Sequence, residues 1–498
     1  MKPAEPLLIL PSCEIPSTNL QEFTTLCADR LDYGDRILTL FGRINVNVGA
    51  AKDRVLVTAV MKGTDGRLSV LRADAKRGDR FDSLTPKYPA VHMFERELWE
   101  QMDIIPAGHP WLKPVRHEGA RQQHLTDYPF FQVRGAEVHE VAVGPIHASV
   151  IEPGHFRFMC LGEQVHHLEI QLGYQHRGIE QLLLRRNPLL LTTTVETIVG
   201  DSSIAYAWAY CAALEALTQT AVSAEQDIVR GVALEMERVA MHVGTLGGMS
   251  GDIAYLQGGA TYGRLRTAII NASMLVCGSR FGRGWIRPGG VRFGLPDALR
   301  QSLLATLNAF ARDFAQVNDL MLSARSVQAR LKKVGVISAT TAKEIGMVGL
   351  AARASGVAID TRVSMPGRLY GNYPVSLATE ESGDCWARLR LRMLEINESL
   401  RWLMQILREP ALDLGATTSG VSKPLRPDMF CVSIREGSRG EIIHTIETKS
   451  DGNLLHYKVQ DPSFQNWFGE ALSVRDNEIS DFPICNKSFD LSYCGNDL

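Results

Sequence analysis

The sequence predicts an α+β protein in two parts: a small N-terminal α/β domain over residues 1–135, then a mainly α-helical bundle domain over 136–498 that closes with a small β-meander. Three observations carry this. Strand-like runs, Ile37–Phe41 and Arg54–Met61, crowd the first part. Two long apolar stripes at alternating four- and three-residue steps mark the second. Three further strand-like runs, separated by Gly- and Asp-containing loops, end the chain. At 498 residues the chain is also too long for a single hydrophobic core.

In order, the first strands are followed by a turn at Gly63-Thr-Asp-Gly66 and a short helical stretch, Met93–Met102. Pro106-Ala-Gly-His-Pro110 breaks the chain after that helix, and the polar, aperiodic residues 117–135 read as a linker. Beyond it, Leu303, Leu307, Phe310, Phe314, Val317 and Met321 share one helix face. So do Trp386, Leu389, Met393, Ile396, Leu400, Leu403 and Leu407. These stripes are the core of packed long helices and carry the fold, not the chemistry. The tail strands are Phe430–Ile434, Glu441–Ile446 and Leu454–Val459.

A net charge of −2 with 22% charged residues supplies neither a nucleic-acid surface nor an acidic disordered tail. The nine cysteines include no Cys-x-x-Cys pair, and their odd number and wide spacing argue against a secreted disulfide framework. The N-terminal apolar run, Leu7–Leu10, is too short for a secretory core. No window reaches the roughly 20 apolar residues of a membrane span, so attachment to a membrane would need partners. No Gly-x-Gly-x-x-Gly follows a strand, and no NAD site is expected.

Phe94-Glu-Arg-Glu-Leu98 followed by Gly108-His-Pro110 resembles the signature of the small hydrophilic (30 kDa-type) subunit of complex I. Glu95, Arg96 and Glu97 then read as a charged docking face, the alternative being a plain solvated one. From residue 136 the chain resembles the large (49 kDa-type) subunit of complex I and of membrane-bound (group 4) NiFe hydrogenases, the formate hydrogenlyase and hydrogenase-4 type. The matching segments fall in the family's order. Gly144-Pro-Ile-His147 and Glu152-Pro-Gly-His-Phe-Arg157 match an opening β-hairpin, which completes the expected fold. Gly173-Tyr-Gln-His-Arg-Gly-Ile-Glu180 comes next, then Glu235-Met-Glu-Arg238 with His242, and Asp252 at the exit of that helix. Arg287-Pro-Gly-Gly-Val291, Arg353-Ala-Ser-Gly-Val357 with Asp360 and Arg362, and Pro462-Ser-Phe464 in a late strand complete the series.

The hydrogenases hold nickel and iron with four thiolates, soft ligands suited to those metals. Here Val199 and Ser202 stand at the early pair, and Ser492 and Gly495 at the late pair. Valine and glycine cannot ligate, so no metal is expected on this chain and nickel is not expected. The chain also ends at Leu498, without the extension most hydrogenases lose on nickel insertion. In complex I a histidine and a tyrosine bind the quinone headgroup. Those positions fall near Glu152–Pro153 and Gly200, while Asp252 matches the aspartate that partners the histidine.

The resemblance places Glu152 at a proton-relay position, with His155, Arg157, His176, Arg177 and Glu180 around it, and Asp201 and Asp490 lining the vacated cavity. Such a cluster would relay protons or bind a polar group; the alternative is a structural network joining hairpin and helices. Glu235, Arg238 and His242 share one helix face, which in the family lies near the 4Fe-4S cluster of a partner small subunit; the alternative is a surface ion pair. The resemblance implies an oxidoreductase subunit at the cytoplasmic face of a membrane. It would be held there by an iron–sulfur subunit and by proton-channel and antiporter-like subunits, coupling electron transfer to ion movement. A quinone-reducing NADH dehydrogenase-type subunit and a non-catalytic scaffold are the competing readings.

Overall fold

The computed structural model describes residues 4–45, 53–133, 135, 137–148, 151–418 and 420–498. Its first strand, β1 (Leu7–Pro11), leads to β2 (Ser17–Asn19) and helix α1 (Leu20–Asp32). Asn19 caps α1 by accepting from the Glu22 N–H at 2.9 Å. Then come β3 (Arg36–Ile44), β4 (Arg54–Lys62), β5 (Leu68–Lys76) and helix α2 (His92–Met102). The sheet order is β2-β5-β4-β3, antiparallel apart from the β2–β5 pair.

The second part opens with β6 (Val138–Val143), β7 (His155–Leu161) and β8 (Gln164–Gln171), so the expected hairpin is a three-stranded sheet. Four long helices come after it: α3 (Ser203–Thr218), α4 (Ala224–Asp252), α5 (Leu256–Cys277) and α6 (Asp297–Ser323). Helix α7 (Cys385–Arg408) packs against α4 and α6. Both apolar stripes point inward, with only Trp386 partly exposed. Each such side chain contributes about 1.5–3 kcal/mol of burial. Between α4 and α5 the backbones come close: a Cβ at Gly247 would lie 3.5 Å from Tyr262 Cβ and 3.8 Å from Gly259 O.

The chain ends with β9 (Met429–Glu436), β10 (Glu441–Thr448) and β11 (Leu454–Gln460), then α8 (Pro462–Ser473), α9 (Phe482–Phe489) and α10 (Tyr493–Asp497). Pro462-Ser-Phe464, expected in a strand, starts α8 instead. Asp461 caps that helix by accepting from the Ser463 N–H at 2.7 Å, and Pro462, which has no N–H to orphan, takes its first turn.

The meander gains a fourth strand from the far end of the chain. β1 pairs antiparallel with β9, Leu7 opposite Ser433 and Pro11 opposite Met429. A mixed core joins Leu38, Phe41 and Val60 to Phe430, Val432 and Ile443. Arg43 binds Glu447 bidentately at 3.1 and 3.0 Å.

The Glu95–Glu97 face is neither a docking surface nor solvated; all three side chains are buried. Glu95 accepts from Ser83 Oγ, Leu84 N and Thr85 Oγ1, and Arg96 donates to the Lys113 and Pro114 carbonyls. Glu97 meets Arg116 at 2.6 Å and Lys458 of β11 at 2.7 Å. Buried charges of this kind persist only when paired. Among its described residues, the segment from 117 to 135 holds only a 3₁₀ turn, Leu125–Asp127, yet it is anchored, with His117 N donating to Glu100 and Tyr128 buried.

Candidate functional site

The late and early segments that would hold a metal in the hydrogenases meet in a cleft of about 370 Å³. At its centre is Arg439, carried by the turn Gly437-Ser-Arg-Gly440 between β9 and β10, which the Gly437 N–H closes on Gly440 O at 2.8 Å. The guanidinium forks onto Asp201, Nη1–Oδ1 2.8 Å and Nη2–Oδ2 2.9 Å. Nη2 also lies 3.5 Å from Asp490 Oδ2, and Nε donates to the Asp490 carbonyl. Asp490 ends α9 in the left-handed region, φ 56°, which aspartate tolerates. Lys487 Nζ at 2.7 Å and Thr245 Oγ1 at 2.6 Å complete its shell. Burial opposes ionisation of Asp490, but Lys487, Arg439 and Arg392 outweigh it and hold its carboxyl well below the usual range.

Glu152 stands exposed at the mouth. The surrounding protein still raises its carboxyl above the ordinary value, with Arg439 pulling the other way and Asp201 adding to the rise. Asp252, at the end of α4, is also exposed. The protein packed around it still pushes its carboxyl up to about 6, with Lys487 pulling the other way.

The four positions expected to have lost metal ligands are filled by other contacts. Val199 is buried. A Cβ at Gly495 would lie 2.5 Å from Asp461 Oδ2 and 2.8 Å from Val199 Cγ2, so a larger residue has no room there. Asp461 cannot easily yield, since it caps α8 and accepts from Tyr206 Oη. Ser202 Oγ binds Asp201 and Arg439, both at 3.3 Å, and Ser492 Oγ caps α10 by accepting from Gly495 N at 2.9 Å. Cys494 lines the cleft, its thiol raised by burial, while Cys485 is fully buried within α9. Among the described residues, no three His, Cys, Asp or Glu side chains converge as a metal-binding group.

His155, Arg157, His176, Arg177 and Glu180 do not line this cleft. His155 packs on Phe130, ring centroids 5.0 Å apart, and Arg157 pairs with Glu140 at 2.7 Å. His176 bonds the Asp497 carbonyl and Glu118, both at 2.8 Å; burial opposes its protonation, but Glu118 raises its pKa overall. Arg177 donates to the Thr197 and Ile198 carbonyls. Glu180 faces Lys458 at 3.2 Å and Arg116 at 3.8 Å. These contacts join sheet, helices and chain end in a structural network.

Glu235, Arg238 and His242 do share a face of α4, but they are not a surface ion pair: all three are buried. Arg362 bridges both Glu235 oxygens at 3.1 Å, and Arg238 donates to the Gly437 and Glu436 carbonyls, directly behind the Arg439 turn. His242 Nε2 is 2.9 Å from Glu395, and burial depresses its pKa to about 4. Burial alone would raise Glu235, but Arg362 and Arg238 bring it down to about 2.

A buried acid flanks the cleft. Glu470 is 0% exposed, and among the described residues its carboxyl takes one hydrogen bond, from Asn486 at 2.7 Å. Burial pushes its carboxyl from 4.5 up to about 8. The folded chain therefore keeps a proton that the unfolded chain releases across that window, and stability falls as pH rises from about 4.5 to about 8. Glu470→Gln is expected to flatten part of this slope when melting temperature is measured across that range. Glu237, also pushed up to about 8 by burial, Glu436, pushed up to about 7, and Asp252 share in the remainder.

Residues 252–419 match the family model of the 49 Kd subunit of respiratory-chain NADH dehydrogenase, and residues 13–129 that of the 30 Kd subunit. An NADH-quinone oxidoreductase subunit of Campylobacter concisus is 30% identical over 61% of this chain and 80% of its own length. The chain belongs to the complex I large-subunit family. It is a fused member, with the 30 Kd-type domain ahead of the 49 Kd-type one. Hydrogenase relatives cover more of the chain. Hydrogenase-4 component G of Escherichia coli is 26% identical over 87% of this chain and 79% of its own. The carbon monoxide-induced hydrogenase of Rhodospirillum rubrum is 28% identical over 71% and 97%. Family members are oxidoreductase subunits. No helix among the described residues of this one is long and apolar enough to cross a membrane.

Motif reading missed Arg439, Lys487 and Glu395. The nearest signal for Arg439 was its place in a glycine-flanked turn between two strands, a pattern without chemical specificity.

Proposed function

We propose that this chain is the proton-handling large subunit of a membrane-associated complex I-like oxidoreductase and carries no NiFe centre. The observation that supports this best is Arg439, whose guanidinium, with Asp201 and Asp490, occupies the cleft where the hydrogenase relatives' metal ligands would converge. Two bonded hydroxyls and one thiol are the wrong donor set for a soft dinuclear metal. The 4Fe-4S cluster of a partner small subunit would supply the electron transfer, and proton-channel and antiporter-like subunits would hold the assembly at the cytoplasmic face. Within this chain, Glu152 takes up and releases the proton at the cleft mouth. Arg439 holds Asp201 and Asp490 in place and helps keep Asp490 ionised, and Lys487 balances Asp490.

The test is metal analysis of the complex purified with its partners. Iron without nickel is expected; stoichiometric nickel would overturn the reading. The place of Asp252 at the end of α4, where the resemblance expects the aspartate that partners a headgroup histidine, favours a second reading, a quinone-reducing NADH dehydrogenase-type subunit with altered headgroup ligands. Quinone-dependent turnover separates the two.

A further inference from the structure

Beneath the cleft floor lies a pair of cysteines that the proton-handling role does not use. Cys385 is the first residue of α7, Cys485 sits in α9, and both are fully buried. Cys385 Sγ is 3.8 Å from the carbonyl of Ile484, the residue before Cys485. The two sulfurs flank Gly335, where a Cβ would meet Cys485 Sγ at 2.8 Å and Cys385 Sγ at 3.3 Å. Arg388 Nη2 lies 3.4 Å from Cys385 Sγ, and its Nε donates to Ser488 Oγ at 2.8 Å.

We propose that Cys385 and Cys485 form a peroxide-responsive dithiol whose oxidation bonds α7 to α9 and stiffens the cleft wall carrying Lys487 and Asp490. The other buried thiols differ: burial pushes Cys27 and Cys431 up to about 12, which leaves them inert. Burial would raise Cys385 too, but the hydrogen bond from Cys485 and the Arg388 charge lower it, while Cys485 keeps its proton. The pair thus has one nucleophilic and one resolving sulfur. The Cys385 thiolate attacks a peroxide oxygen, the O–O bond breaks, and a sulfenic acid forms with release of hydroxide. That hydroxide takes the Cys485 proton as water. The Cys485 sulfur then attacks Cys385 Sγ, forming S–S, breaking S–O and expelling a second hydroxide. Two cysteines lose two electrons, and peroxide is reduced to the level of water.

The effect reaches the cleft because α9 runs from Cys485 through Lys487 to Asp490. Arg392 Nη2 already holds the Ser488 and Phe489 carbonyls at 2.7 and 3.1 Å.

The test treats the full chain with hydrogen peroxide, blocks free thiols with N-ethylmaleimide under denaturing conditions, and maps peptides by mass spectrometry. A linked peptide pair containing Cys385 and Cys485, reversed by dithiothreitol, is expected, together with slower amide exchange over 482–492. Both cysteines alkylated at a peroxide dose that oxidises the exposed Cys13 would overturn the proposal, as would linkage of either to a different cysteine. The mapping uses the unaltered protein, so it does not depend on a variant that folds. C385S should leave Cys485 alkylated and exchange over 482–492 insensitive to peroxide; peroxide-slowed exchange in that variant would count against the tether.

Discussion

Arg353→Met will destabilise the protein by about 3–5 kcal/mol, the cost of removing one partner from a buried ion pair. Arg353 is 0% exposed. Its Nε and Nη2 donate to Glu395 Oε1 at 3.0 and 2.7 Å, and its Nη1 to Glu436 Oε1 at 2.9 Å and the Ile359 carbonyl at 2.6 Å. Methionine fills much of the same volume, so the cavity term stays small and the loss is electrostatic. Glu395 suffers most. Burial favours its neutral form, and Arg353 is the largest influence keeping it ionised. The check is apparent melting temperature and soluble yield beside the unaltered chain. A methionine variant of undiminished stability would show that the network is not what holds α7 to β9. Pairing Arg353→Met with Glu395→Gln should recover part of the loss, because the stranded carboxylate goes with it.

Glu152→Gln is expected to lower turnover of the assembled complex by about 10²–10⁴-fold, the usual contribution of a positioned proton-transfer group. The amide keeps the shape of the carboxyl and removes the titratable proton. Glu152 is exposed at the cleft mouth, so assembly and melting temperature should not change. Full activity in an assembled variant would instead favour a scaffold role, with the large-subunit fold retained to hold its partners.

The long helices were legible because a stripe such as Leu389, Met393, Ile396 and Leu400 needs only 3.6-residue spacing, which lies wholly within one segment. β1, β2 and β5 were not read as strands, whereas β3 and β4 and the three meander strands were legible because each of their patterns also lies within one segment. Glu95–Glu97 was not, because a charge run on one helix looks identical whether solvated or buried. What decides is a partner such as Lys458, 361 residues from Glu97. The cleft was half legible: Glu152, Asp201 and Asp490 do meet there, with Val199 and Ser492 also in its lining. Arg439 escaped because it belongs to no motif and meets Asp201 across 238 residues. The histidine and arginine cluster expected around Glu152 failed in a related way. His176 and Glu180 lie near it in sequence, but their hydrogen-bond partners, Glu118 and Val459, draw them elsewhere.

The pairing of β1 with β9 gives the molecule a mechanical connection that its domain order conceals. Tension on β1 loads β9 in shear, along the five paired positions from Leu7 to Pro11. β9 runs directly into the turn that holds Arg439 between Asp201 and Asp490. A load on β1 therefore pulls on a lever whose other end is the cleft.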